Sequence, residues 1–207
     1  MKYLFLSIIT FTFFSCGEST AKKTTTENKN TYDTTILINA IIDYYRQEFK
    51  KTKSDEPQAQ LKIDTTESCI ELKTIIDSTY AALPLNSIPF SSEFIKGDLN
   101  GDNAVDIVIP VYSTGGGSAE WREIFVFISK KNKIDFYKMY SSFDLGHCQE
   151  AGSHGGQFYP EKISNAILIG ESYCYKEGDP HCCPSLKYTT EYKFDKGLIF
   201  LKQTNKD

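Results

Sequence analysis

Oxygen-bearing side chains recur at short spacing in Gly97-Asp98-Leu99-Asn100-Gly101-Asp102-Asn103-Ala104-Val105-Asp106. Asp98, Asn100, Asp102 and Asp106, with the carbonyl of Ala104, fall at the odd-numbered ligand positions of a calcium loop, where a tight turn can aim alternate oxygens at one hard cation. Asn103 occupies the position where glycine is usual, and asparagine is the side chain that best tolerates a left-handed backbone there. Ile109 stands where an EF-hand places its bidentate glutamate, so the expected affinity for calcium is weak. Without metal, the same carboxylates would accept backbone N–H bonds across a β-turn.

The chain has six cysteines. If Cys16 is set aside for the N-terminal chemistry described below, Cys69, Cys148, Cys174, Cys182 and Cys183 remain, an odd number that allows at most two intramolecular bridges. Adjacent Cys182 and Cys183 point in different directions, which favours bridges to two separate partners, with Cys148 and Cys174 as the natural ones. Cys69 is then the thiol left over. A zinc site built from His147, Cys174, His181, Cys182 and Cys183 lacks ligand pairs two to four residues apart and is the weaker reading. A hydrolase using Cys148 with His147 or His154 has the right residue types, though local sequence does not bring them together. Gly115-Gly116-Gly117-Ser118 has neither the setting of a nucleophile elbow nor the lysine of a P-loop, and reads as a hairpin loop. Trp121, the only tryptophan, reads as a core residue at the start of a strand.

The Asp98 to Asp106 segment resembles the calcium loops of FG-GAP and VCBS repeats, in which Asp-x-Asn-Gly-Asp-Gly-x-x-Asp runs into a β-strand. The match is one copy of about a dozen residues, so the propeller of those families does not carry over. The first sixteen residues resemble a bacterial lipoprotein signal. Met1-Lys2 supply a positive start, Tyr3 to Phe14 form an uncharged apolar run too short to span a bilayer, and Phe14-Ser15-Cys16-Gly17 closes it. Phe13 and Phe14 depart from the usual aliphatic pattern. The resemblance implies cleavage after Ser15, lipid on the Cys16 thiol and acylation of the new amine. Two or three acyl chains anchor firmly where one does not. The alternatives are an ordinary signal peptide whose cysteine is incidental and a membrane-retained N-terminus. Asp-Pro-His-Cys-Cys-Pro-Ser, together with Gly-Asp-Leu-Asn-Gly-Asp, resembles a group of small bacterial lipoproteins and exported proteins over about Phe94 to Phe194, and implies no activity.

A formal net charge of −4 with no basic run longer than a lysine pair makes nucleic acid and anionic lipid surfaces poor partners, and no nucleic acid is expected. The lipoprotein resemblance, together with the expected bridged cysteines, implies a lipid-anchored protein of the bacterial cell envelope, most simply the outer membrane. Its expected partners are the membrane, through Cys16, and an envelope protein or glycan. The expected role is a non-catalytic binding or structural module, with the Cys/His hydrolase as the alternative.

These residues need a scaffold. Residues 1–15 read as the signal, 16–32 as the lipidated cysteine and a polar tether reaching about 20 Å by random-coil scaling, and 33–207 as one α+β domain. Leu37, Ala40, Ile41, Tyr44, Tyr45 and Phe49 recur at three- and four-residue steps, predicting a helix from Asp33 to Lys51 with Asp33 or Thr34 as its cap. Cys69, Leu72, Ile76, Tyr80 and Leu83 repeat that spacing before Pro84 and predict a second helix. Phe94-Ile95, Val105 to Tyr112, Glu123 to Ser129, Ile134 to Tyr140, Ala166 to Tyr175 and Leu186 to Phe194 read as strands between turn signals. The expected fold is two N-terminal helices packed on one face of an antiparallel β-meander.

Overall fold

The computed structural model describes residues 32–52, 59–67, 69–77, 80–116, 119–131, 133–148, 155–180 and 183–206. The signal, Cys16 and nearly all of the tether therefore lie outside the described residues, as do His154, His181 and Cys182.

One α-helix, α1 (Thr34–Thr52), precedes eleven strands among the described residues. Asp33 caps it, its carboxylate accepting the Thr35 N–H at 2.9 Å and its carbonyl the Ile36 N–H at 3.0 Å. The strands are β1 (Gln60–Thr65), β2 (Cys69–Asp77), β3 (Tyr80–Pro89), β4 (Ile95–Gly97), β5 (Asp106–Gly116), β6 (Ala119–Lys130), β7 (Lys133–Ser141), β8 (Gly156–Ser164), β9 (Ile167–Cys174), β10 (Leu186–Phe194) and β11 (Leu198–Asn205). They form two antiparallel sheets. The first has the order β1-β2-β3-β5-β6-β7, with β4 on β5, and the second β11-β10-β9-β8.

Ile107 to Val111 of β5 and Ile124 to Ile128 of β6 are buried on both faces, which explains why each of these segments reads as an apolar run. Side chains of a strand alternate between faces. Ile107, Ile109, Val111, Phe125 and Phe127 accordingly pack with Leu37, Ile41 and Tyr45 of α1. Val108, Ile124, Val126 and Ile128 pack with Phe158, Leu168 and Tyr192 of the second sheet. The described residues are thus layered helix, sheet, sheet. Each large apolar side chain fully buried in these layers contributes about 1.5–3 kcal/mol relative to an exposed one.

The chain passes between sheets at Ser142. Its N–H donates to the Arg122 carbonyl at 2.8 Å, its carbonyl accepts from Phe158 N–H at 2.9 Å, and its hydroxyl accepts from Arg122 N–H at 3.1 Å. Every hydrogen-bonding group of this buried crossover is thereby used in joining β6 to β8.

The expectation of a second helix, and with it the α+β class and the single meander, is overturned. The segment from Thr66 to Leu83 forms β2 and the start of β3. Ile70 and Leu72 face the helix side of the sheet, while Glu71 and Lys73 form an ion pair at 2.5 Å. Alternation and a stretch rich in threonine and isoleucine prevail over a three- and four-residue spacing that Leu72 satisfies either way. Pro84 does not end a helix. It lies in a bulge of β3, where β2 jumps from pairing Lys73 with Leu85 to pairing Thr74 with Ala82, and a bulge spares the ladder the missing N–H. The described residues form a mostly antiparallel β-structure with one α-helix.

Candidate functional site

The Asp98 to Asp106 loop joins β4 to β5 across one tight turn, with Gly101 at φ 79° and Asn103 at φ 64°. Asn103 takes the left-handed backbone expected of it. Asp98 sits at the centre. One of its oxygens accepts N–H bonds from Gly101 at 2.6 Å and Asp102 at 3.1 Å, and the other from Asn103 at 2.8 Å. Asn100 Oδ1 accepts from Asp102 N–H at 3.0 Å, and Asn100 Nδ2 donates to Asp102 Oδ2 at 3.0 Å. Asp102 Oδ1 accepts from Ala104 N–H at 2.8 Å.

Asp106 is set apart from these three. It is fully buried, and its two oxygens accept N–H bonds from Leu99 at 2.8 Å, Asn100 at 3.2 Å and Ser129 of β6 at 2.8 Å. Burial pushes its pKa above the usual carboxylate value, and those three bonds oppose the rise. The loop is therefore stitched by its own carboxylates, and among the described residues no three acidic, histidine or cysteine side chains converge as a metal group. The oxygens retain further lone pairs, since each carboxylate oxygen can accept more than one partner.

Tyr32, just before α1, extends the same corner. Its hydroxyl donates to the Val105 carbonyl at 2.7 Å and lies 3.0 Å from the Ser129 hydroxyl, which itself donates to Val105 at 2.5 Å. The end of the loop, the start of the helix and the edge of β6 share one hydrogen-bonded knot.

The cysteines pair differently from expectation. Cys148 bridges Cys174 at the end of β9, with Cα atoms 5.6 Å apart, rather than each reaching toward the Cys182-Cys183 pair. The physical reason is the crossover at Ser142, which brings the segment after β7 alongside the β8–β9 hairpin. Cys183 is itself disulfide-bonded. Cys69 is a free thiol, on β2 and not on a helix. Gly156 packs directly beneath the bridge: a Cβ there would fall 1.8 Å from Cys148 Sγ and 3.1 Å from Cys174 Sγ, so no other residue fits without displacing the sulfurs. Closing a loop of 26 residues, the bridge restricts the unfolded chain by about 3–4 kcal/mol.

His147, one candidate base, is exposed and stacks on Phe200 with ring centroids 4.2 Å apart. The half-buried Trp121 lies on the helix-facing side of β6, where its indole N–H bonds to Glu123. Glu123 also accepts the Tyr45 hydroxyl from α1. Burial pushes the pKa of Glu123 up and that of Tyr45 well up, the neighbouring Glu123 charge adding to the rise at Tyr45. This pair has no signature in the sequence, because its partners are 78 positions apart.

Asp106→Asn replaces one acceptor oxygen with an amide that must face an N–H donor. The substitution is expected to destabilise the fold by about 1–3 kcal/mol, the cost of an unsatisfied buried donor, as read by denaturant unfolding. A change below about 0.5 kcal/mol would show that the carboxylate is dispensable.

No protein-family model, curated protein or solved structure matches the chain. Among the described residues no helix is long and apolar enough to cross a membrane.

Proposed function

We propose that the chain is a lipid-anchored protein of the bacterial cell envelope, held to the membrane through Cys16 and acting as a non-catalytic binding or structural module for an envelope protein or glycan. The observation that carries this reading is the Cys148–Cys174 bridge. Disulfides persist in oxidising compartments, which agrees with export by the N-terminal signal. The same bridge consumes the thiol on which the hydrolase alternative depends, and the stacking of His147 on Phe200 turns the adjacent histidine to a packing role.

Calcium binding at Asp98, Asn100, Asp102, Ala104 and Asp106 belongs to the same proposal. The sequence spaces three carboxylates over nine residues, which favours a cation, and the missing bidentate ligand keeps the affinity low. Asp98 and Asp102 hold the loop through its own N–H groups and can do so while sharing their remaining lone pairs with an ion.

The anchor is tested on protein extracted from its native membrane. Mass spectrometry is expected to find a chain beginning at an acylated Cys16, and Cys16→Ala to release the protein from the membrane fraction. An unmodified Cys16, or a Cys16→Ala variant that stays in place, contradicts the anchor.

The ion is tested by melting. With a dissociation constant of about 10⁻⁴–10⁻³ M, saturating calcium is expected to stabilise the domain by about 2.7 kcal/mol at one hundred times that constant. Asp102 is exposed, so Asp102→Ala is expected to abolish the calcium response with little loss of basal stability. An unchanged melting temperature at about 10 mM calcium, or an equal rise in the variant, contradicts calcium binding.

A further inference from the structure

A cavity of about 310 Å³ opens between α1 and the first sheet. It is at the lower end of the range of about 300–1,000 Å³ that small-molecule sites occupy. Tyr44, Tyr45 and Phe49 supply aromatic walls from the helix, Leu61 and Thr74 close it from β1 and β2, and Glu123 of β6 lies in its lining. The lining contains two carboxylates, Glu48 and Glu123, and no lysine, arginine or histidine.

The two carboxylates differ. Glu48 is at the rim and already pairs with Lys51 at 2.6 Å. Glu123 is deeper, and it accepts from the Tyr45 hydroxyl and the Trp121 indole, both neutral. Among the described residues no lysine or arginine forms an ion pair with it. A desolvated carboxylate beside aromatic rings lacks one thing, a positive charge, and burial accordingly raises its pKa. The rings are fixed in advance: Tyr44 meets Phe125 edge-on at 5.2 Å and Tyr45 at 5.6 Å. A cavity with rigid aromatic walls and an uncompensated carboxylate matches the chemistry that holds an ammonium group, through a charge-assisted hydrogen bond and ring attraction.

We propose that this cleft binds a small organic cation, an amine whose ammonium group meets Glu123 and whose apolar body lies between Tyr44 and Phe49. An anion would meet two carboxylates, and a neutral ligand of the same shape would leave Glu123 without a counter-charge. The site uses neither Cys16 nor the Asp98 to Asp106 loop, so its failure would leave the anchor and the calcium loop standing, and their failure would leave it standing.

Trp121, the only tryptophan and a hydrogen-bond partner of Glu123, provides the signal. The full chain is titrated with benzylammonium and, separately, with benzyl alcohol, its neutral counterpart, following tryptophan fluorescence and confirming by calorimetry. Saturable binding of benzylammonium is expected, at least about tenfold tighter than benzyl alcohol, as a charge-assisted bond requires. Glu123→Gln, which keeps an acceptor for Tyr45, is expected to lower benzylammonium affinity to the level of the alcohol and leave alcohol binding unchanged. Equal affinity of the two probes for the unaltered protein, or no saturable binding of benzylammonium, overturns the proposal whether or not the variant folds. Unchanged benzylammonium affinity in a folded Glu123→Gln protein overturns it as well.

Discussion

At the start of β5 the carboxylate of Asp106 is withdrawn from water and accepts three backbone N–H bonds, from Leu99 and Asn100 before it and from Ser129 across the sheet. A buried charge of this kind is tolerated only while its donors stay in place, because desolvation without hydrogen bonds costs several kcal/mol. The bonds therefore fix three things at once: the shape of the turn, the register of β5 against β6, and the position of Leu99 in the core between the sheets. Tyr32 and the Ser129 hydroxyl converge on the Val105 carbonyl beside it, so the approach to α1 is set by the same corner.

From that corner the two-sided burial of β5 and β6 follows. One face receives α1 and the other receives the second sheet, and the chain crosses between them through Ser142. The Cys148–Cys174 bridge closes the far side of that crossover, with Gly156 leaving room for the sulfurs. Between helix and sheet lies a cavity only partly filled by Tyr44 and Tyr45, and there the Glu123 carboxylate is left with neutral donors. The two sites are thus opposite outcomes of burying an acid: Asp106 is held by backbone donors that lock the fold, and Glu123 by side chains that leave its charge uncompensated.

The helix was legible because Leu37, Ile41 and Tyr45 share one face and Asp33 stands at its cap, signals that lie within a few turns of chain. The central strands were legible as apolar runs, though a run such as Ile107 to Val111 does not reveal that a helix covers one face and a sheet the other. Cys69 to Leu83 misled because Leu72 fits both periods, and the pairing with β1 that decides the matter is tertiary. β8 and β11 escaped notice because Gln157, Glu161 and Lys162 in the one, and Lys202 and Gln203 in the other, dilute the alternation at the ends of the second sheet. Cysteine arithmetic identified Cys69 as the odd thiol but not which cysteines meet, since connectivity depends on the crossover. Asp106 was legible as an important acid, but its burial was not, and Glu123 carried no local signal at all.

The Asp106 carboxylate joins the turn to the sheet as one cooperative unit. Native-state hydrogen exchange of the Leu99, Asn100 and Ser129 amides tests it most directly, because each of these N–H groups donates to that carboxylate. All three are expected to exchange slowly and with a common opening free energy close to that of global unfolding. Leu99 and Asn100 exchanging at the rate of an open loop while Ser129 remains protected would contradict it.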